Sequence, residues 1–293
     1  MATNEIVQFG LLLATSVLFA AGFGLGLARM RRTARAMAAS PAGLPHESSM
    51  GGPARAAVIA GTCVGVGLLI WRAAETRAGA LPMSEPFDAF LVFGLLLSLT
   101  VIYFRWTRRL RALSFFLLPM IVLLLWIGLV LALVNRKAGQ PPDYSNVWTL
   151  LHMVTLIAAT ICFALACVGA AVYLLADRQL RRKGLDGSHR WIGLPALASI
   201  ENFNRWLIYV GFPLLSISTV AGIVRLALER AASTQPAAGG GHTKIVMGMV
   251  SWLIYLVLLQ VPLNPRFRGR RAAWLAIAGF VLFIATFVVA YWR

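Results

Sequence analysis

The sequence predicts an all-α, polytopic membrane protein of about eight transmembrane helices, with both termini on the outer (periplasmic or extracytoplasmic) side. Three observations carry this expectation. Apolar stretches near the length a helix needs to cross hydrocarbon, about 20 residues, recur along all 293 residues. Charged residues make up only 13% of the chain, against about 25% in an average soluble domain, and the mean hydropathy is +0.78. The apolar residues show no alternation of period two, which argues against a transmembrane β-barrel.

Along the chain, the first span covers about 6–27. The leading MATNE lacks a basic region and the arginines follow the apolar run, so the span is expected to be retained rather than cleaved as a signal peptide. Gly22, Gly24 and Gly26 line it. In the second span, about 56–71, Gly61 and Gly65 form a GxxxG. Small residues let helices approach closely, so both sets read as packing surfaces. The connection 36–55 (AMAASPAGLPHESSMGGPAR) is rich in small residues and reads as a flexible loop, with His46 solvated there. Prolines in 76–88 and 136–146 bracket the third span, about 87–104, and the fourth, about 112–134. The fifth span, about 147–175, is followed by a stretch, 176–204, long enough for a short surface helix before Asn204 leads into the sixth, about 206–228. A Gly-rich loop, 229–244 (ERAASTQPAAGGGHTK), precedes the seventh, about 245–263, and the eighth covers about 272–291. A single integral membrane domain over 1–293 is expected, without the repeat of an inverted-repeat transporter. Cys63, Cys162 and Cys167 lie in apolar spans with no CxxC pair, and read as small buried apolar residues.

The net charge of +17 is unevenly placed: 19 of the 27 Lys and Arg residues follow the first, third, fifth and seventh spans. By the positive-inside rule those connections are cytoplasmic. Anionic lipid is therefore the expected partner of the charge, and no nucleic acid is expected.

An ionisable side chain at membrane depth is costly and marks a candidate site. His152 lies about five residues inside the outer end of the fifth span, in VWTLLHMVTLIAAT, with Trp148 one turn before it on the same helix face. Asp88 is expected at the outer mouth of the third span, after Glu85, and His242 and Lys244 lie at the outer start of the seventh. A neutral imidazole at a membrane surface suits an axial haem ligand; it equally suits a hydrogen bond to a neighbouring helix. Spacing alone leaves both readings open. Polar groups spread through the bilayer, as a transmembrane relay needs, are not apparent.

Several segments resemble the cytochrome c assembly family, the CcsA- and CcmC-type haem-handling membrane proteins with their HemX-like branch. Trp148, Leu151 and His152, followed by YLLADRQLRRK at 173–183, are similar to the family's Trp–Leu–His span and its basic patch. LPMSEPFDAFLVF at 81–93, LPALASIENFNRWLIYVGFPLLSISTVAGIVRL at 194–226 and WLIYLVLLQVPLNPRFRGRRAAWLAIAGF at 252–280 resemble further family segments, so the likeness covers 81–293. The family's tryptophan-rich outer loop, ending in a WDPKE-like string, corresponds to STQPAAGGGHTK at 233–244. That loop has no tryptophan, and His242–Thr243–Lys244 stands where the family has Asp–Pro–Lys. Gln260 stands where a histidine is usual, and Glu85, Phe87 and Asp88 replace an Asn, Tyr and Glu.

The resemblance implies a haem-handling assembly factor of cytochrome c biogenesis in the bacterial cytoplasmic (inner) membrane, and leaves open whether it is a synthase component or a HemX-like regulator without catalysis of its own. His152 would ligate the iron of haem b, with His242 as a second ligand. Lys244 would pair with a propionate, and Trp148 and Asp88 would shape the site. Other cytochrome c maturation membrane proteins, or a protein of the haem pathway, would be partners. The alternative implied by the tryptophan-free loop is a non-catalytic scaffold or regulatory subunit that keeps the fold without haem.

Overall fold

The computed structural model describes residues 3–39, 51–76, 83, 86–106, 111–134, 144–182, 197–232, 240–260 and 269–291. Among these the regular structure is helical throughout: α1 (Thr3–Ala39), α2 (Gly52–Thr76), α3 (Pro86–Trp106), α4 (Arg111–Val134), α5 (Val147–Arg182), α6 (Leu197–Ala232), α7 (Gly240–Gln260) and α8 (Arg270–Tyr291). Seven of the eight are long and apolar enough to cross a membrane; α7 is the shorter case, with an apolar part of Gly248–Gln260.

The helices overrun the apolar spans at several ends, because adding residues to a formed helix costs far less than nucleating one. The connection expected over 36–55 is narrowed by α1 reaching Ala39 and α2 starting at Gly52, and His46 lies outside the described residues. In the stretch 176–204 the described residues extend α5 and α6 rather than forming a separate surface helix, and Asn204 sits inside α6. The loop expected over 229–244 is likewise shortened, since α6 continues to Ala232 and α7 begins at Gly240. Of the three cysteines expected to be buried, Cys167 is buried, Cys162 is partly covered and Cys63 is exposed. An apolar exposed position is stable in a span, because lipid is its solvent.

The chain packs as two compact units, Met1–Arg136 with Leu175–Leu197, and Lys137–Leu174 with Ala198–Arg293. In the first, α1 packs on α2 and α4, and α3 on α2 and α4, so the four helices close a ring. The glycines read as packing surfaces serve it unevenly. A Cβ at Gly61 would lie 3.3 Å from Leu18 and Phe19 of α1, and one at Gly65 2.7 Å from Leu95 of α3, whereas Gly24 faces nothing within 4 Å. Phe23 of α1 stacks on Phe115 of α4 at 5.0 Å between ring centroids.

At one end of this ring a polar cluster ties three helices together. The Arg72 guanidinium of α2 donates to both carboxylate oxygens of Asp88 in α3, at 3.2 and 3.3 Å, and to Gln8 Oε1 of α1 at 3.2 Å. Gln8 donates in turn to Glu75, and the guanidinium lies 4.7 Å from the centroid of the Phe87 ring. Asp88 is fully buried and Arg72 is 5% exposed. The carboxylate expected at an open mouth is therefore sealed inside the ring, because only a cation on the neighbouring helix makes its burial tolerable. Deeper along the same pair, Thr62 donates to Ser98 at 3.1 Å, a second α2–α3 link.

In the second unit Phe163 of α5 is the common contact. It stacks on Tyr255 of α7 at 3.5 Å, meets Phe283 of α8 edge-on at 5.7 Å, and lies where a Cβ on Gly211 of α6 would come within 2.7 Å. The indole of Trp252 in α7 donates to Ser216 of α6 at 2.9 Å.

Two outcomes are expected. Asp88→Ala takes from a buried guanidinium the carboxylate that two of its nitrogens meet, leaving Gln8 and the more distant Glu75, and destabilises the folded protein by about 3 kcal/mol, whereas the apolar pair Arg72→Leu with Asp88→Leu recovers most of that loss; thermal unfolding in detergent reads both. Gly211→Val drives a side chain against Phe163 and the Cβ of Cys162, and costs about 1–3 kcal/mol by the same measurement.

Candidate functional site

The second unit positions His152 by two devices, a helix cap and a close helix pair. Asn146 starts α5: its side-chain Oδ1 accepts from the backbone N–H of Trp148 at 3.0 Å, and its carbonyl accepts from Leu150 at 3.1 Å. A side-chain acceptor at the N-cap satisfies one of the donors that every helix start leaves open. Val147 thus begins the helix, Trp148 falls in its first turn and His152 in its second. Trp148 and Leu151 are 39% and 37% exposed, so this turn presents an apolar aromatic surface outward while His152 is partly covered.

The imidazole is held from α6. His152 Nδ1 lies 2.7 Å from the backbone carbonyl of Ser218 and 3.1 Å from its hydroxyl, and that hydroxyl donates to the His152 carbonyl at 3.2 Å. A carbonyl can only accept, so the proton must reside on Nδ1. In the neutral ring this leaves Nε2 as an unprotonated donor of electron density, the form a metal-ligating histidine takes. Gly222, one turn beyond Ser218, lets the ring lie flat on α6: a Cβ there would sit 2.9 Å from Nδ1 and 3.0 Å from Cε1. The hydrogen bond to a neighbouring helix and the ligand-ready nitrogen are therefore the two sides of one ring.

The other residues singled out in the sequence are distributed differently. His242 and Lys244 fall in the first turns of α7, a helix start rather than a glycine-rich loop; their side chains lie outside the described residues. Asp88 belongs to the first unit, in the buried pair with Arg72. Glu85 lies outside the described residues. Among the described residues no three His, Cys, Asp or Glu side chains gather as a metal site. A single oriented imidazole nitrogen is the kind of axial donor that a haem would ask of the protein.

Sequence reasoning missed Ser218, Gly222, Arg72 and Gln8. A signal existed for two of them: Ser218 and Gly222 fall in the GFPLLSISTVAG run, whose terminal glycines are Gly211 and Gly222. Those glycines are eleven residues apart, and so are His152 and Phe163, the two side chains that press on them from α5.

The family model for the cytochrome c assembly protein matches residues 83–293. The cytochrome c biogenesis protein CcsA of Guillardia theta is 22% identical over 223 residues, 70% of this chain and 72% of its own. The inner membrane protein YpjD of Escherichia coli K12 is 28% identical over 167 residues, 55% of this chain and 60% of its own. No solved structure matches. With a match that runs through α3 to α8 and takes in the His152 turn and its α6 partners, the chain belongs to the cytochrome c assembly protein family.

Proposed function

We propose that the protein handles haem in cytochrome c biogenesis at the outer face of a bacterial cytoplasmic membrane, with His152 as axial ligand. The observation that carries this reading is the 2.7 Å bond from Nδ1 to the Ser218 carbonyl, which holds the ring in the tautomer that leaves Nε2 basic. Haem b, when bound, supplies the iron centre that such a nitrogen ligates. The chain's own contribution is to orient the ring through Ser218 and Gly222 and to offer the exposed apolar turn of Trp148 and Leu151 beside it. Lys244 would neutralise a propionate and His242 would serve as the second ligand, both from the start of α7. Other membrane proteins of cytochrome c maturation are the partners that this role requires.

The reading does not extend to Asp88. Its carboxylate is matched by Arg72 inside the first unit, which supports a structural role.

A scaffold role without haem is favoured by one feature, the segment 233–244 with no tryptophan. The two readings separate in one preparation. Protein purified in detergent from haem-sufficient cells is expected to show a Soret band that His152→Ala loses. A monodisperse wild type with no such band would sink the haem reading and leave the scaffold. The lock on the ring is testable separately. Gly222→Ala, whose added methyl meets the imidazole, is expected to weaken haem retention by about tenfold or more, while Ser218→Ala, which keeps the backbone carbonyl, changes it little; absorbance titration with hemin reads both.

A further inference from the structure

The second unit carries a cavity of about 50 Å³ at the opposite end of α5 from His152, lined by residues of all four of its helices. Tyr173 lies 21 positions beyond His152, or about 30 Å along a helix. Glu201, Asn204, Arg205 and Tyr209 come from α6, and Gly269 from the start of α8. On the scale where one water needs about 10–15 Å³, the space holds a few atoms of that size, comparable to one phosphate group.

Its chemistry is specific. Asn204 makes no hydrogen bond among the described residues, and its Oδ1 is buried against Gly169, where a Cβ would collide with it. Arg205 is 3.9 Å from Glu201, a loose pairing that leaves donors of the guanidinium for another acceptor. Gly269, with φ of +71°, precedes α8 and accepts from Ala273 at 3.1 Å, yet has no side chain with which to cap the helix as Asn146 caps α5. The Tyr173 hydroxyl lies where a Cβ on Gly269 would be 2.9 Å away. A guanidinium, a phenol and a side-chain-free helix start thus converge on one small space beside the Asn204 amide, and helix starts favour anions.

The surroundings say where the anion comes from. Trp206, Tyr209 and Trp274 flank the cavity on α6 and α8 and are 62%, 40% and 50% exposed. Trp and Tyr in that arrangement mark the level of lipid headgroups. Arg270 and Arg271, both exposed, stand at the same helix start, on the arginine-rich side that the positive-inside rule makes cytoplasmic.

We infer that this cavity binds the headgroup of a cytoplasmic-leaflet phospholipid bearing a phosphodiester and a primary ammonium, as in phosphatidylethanolamine. Arg205, the Asn204 amide nitrogen Nδ2 and the start of α8 take the phosphate, and Glu201 takes the ammonium. The site is independent of haem.

Native mass spectrometry of the full chain in detergent tests it, with phosphatidylethanolamine, phosphatidylglycerol, phosphatidylcholine and inorganic phosphate titrated separately. The wild type is expected to retain phosphatidylethanolamine over the other two lipids. Arg205→Gln is expected to weaken that retention by at least about tenfold, and Glu201→Gln to shift the preference toward phosphatidylglycerol. Tyr173→Phe, which removes one hydroxyl, reports a smaller loss should Arg205→Gln fail to fold. Equal retention of the three lipids by the wild type, unchanged retention in the folded variants, or binding of inorganic phosphate with no lipid preference would overturn the assignment.

Discussion

At Gly169, Gly211 and Gly222 there is no room for a side chain between α5 and α6, and at each position a residue of the opposite helix fills the space: Asn204, Phe163 and His152. In a membrane, where lipid tails are as apolar as leucine, helices associate through such close packing and through interhelical hydrogen bonds. The second unit uses both along one seam. The Ser218–His152 exchange supplies the hydrogen bonds and Gly211 the packing, and Phe163 carries the contact onward to Tyr255 and Phe283. Shift the seam by one residue and the imidazole, the aromatic centre and the Asn204 cavity all lose their partners together.

That shared dependence explains why a histidine inside an apolar run is neither a plain core residue nor an isolated ligand. The same carbonyl that satisfies its Nδ1 proton determines the state of its other nitrogen. A buried polar group needs a hydrogen bond to be tolerated, and here the way that need is met also prepares the chemistry. The first turns of α5 then set the ring beside exposed Trp148 and Leu151 rather than among fully buried side chains.

The spans, the helical class and the candidate histidine were legible from the sequence because each rests on local composition: apolar run length, alternating basic connections, and one imidazole where few residues ionise. What was not legible depends on pairing between distant segments. Asp88 read as a carboxylate at an open mouth, since nothing in the sequence near it announces Arg72 sixteen residues earlier, on another helix, as its partner. Ser218 is one of several hydroxyls in α6, and only the register with α5 singles it out. Helix ends were misjudged at 176–182, 197–204 and 240–244 because they carry polar residues that a hydropathy reading assigns to loops, although a helix already formed extends through them at little cost. Gly24, which meets nothing within 4 Å among the described residues, shows the converse: a glycine can look like a packing residue without serving as one there.

The Arg72–Asp88 pair bears on how the chain enters the bilayer in the first place. Either charge alone, carried into hydrocarbon on a single helix, costs about 2.5–3.5 kcal/mol on insertion scales. The two lie near the facing ends of consecutive helices, α2 and α3, so a nascent hairpin can satisfy both before any other helix arrives. Partitioning α2 and α3 as one unit removes the penalty that would oppose each singly, and Gln8 of α1, already synthesised, waits to complete the cluster. A contact that looks like a late product of packing is thereby a reason for two segments to leave the translocation machinery together.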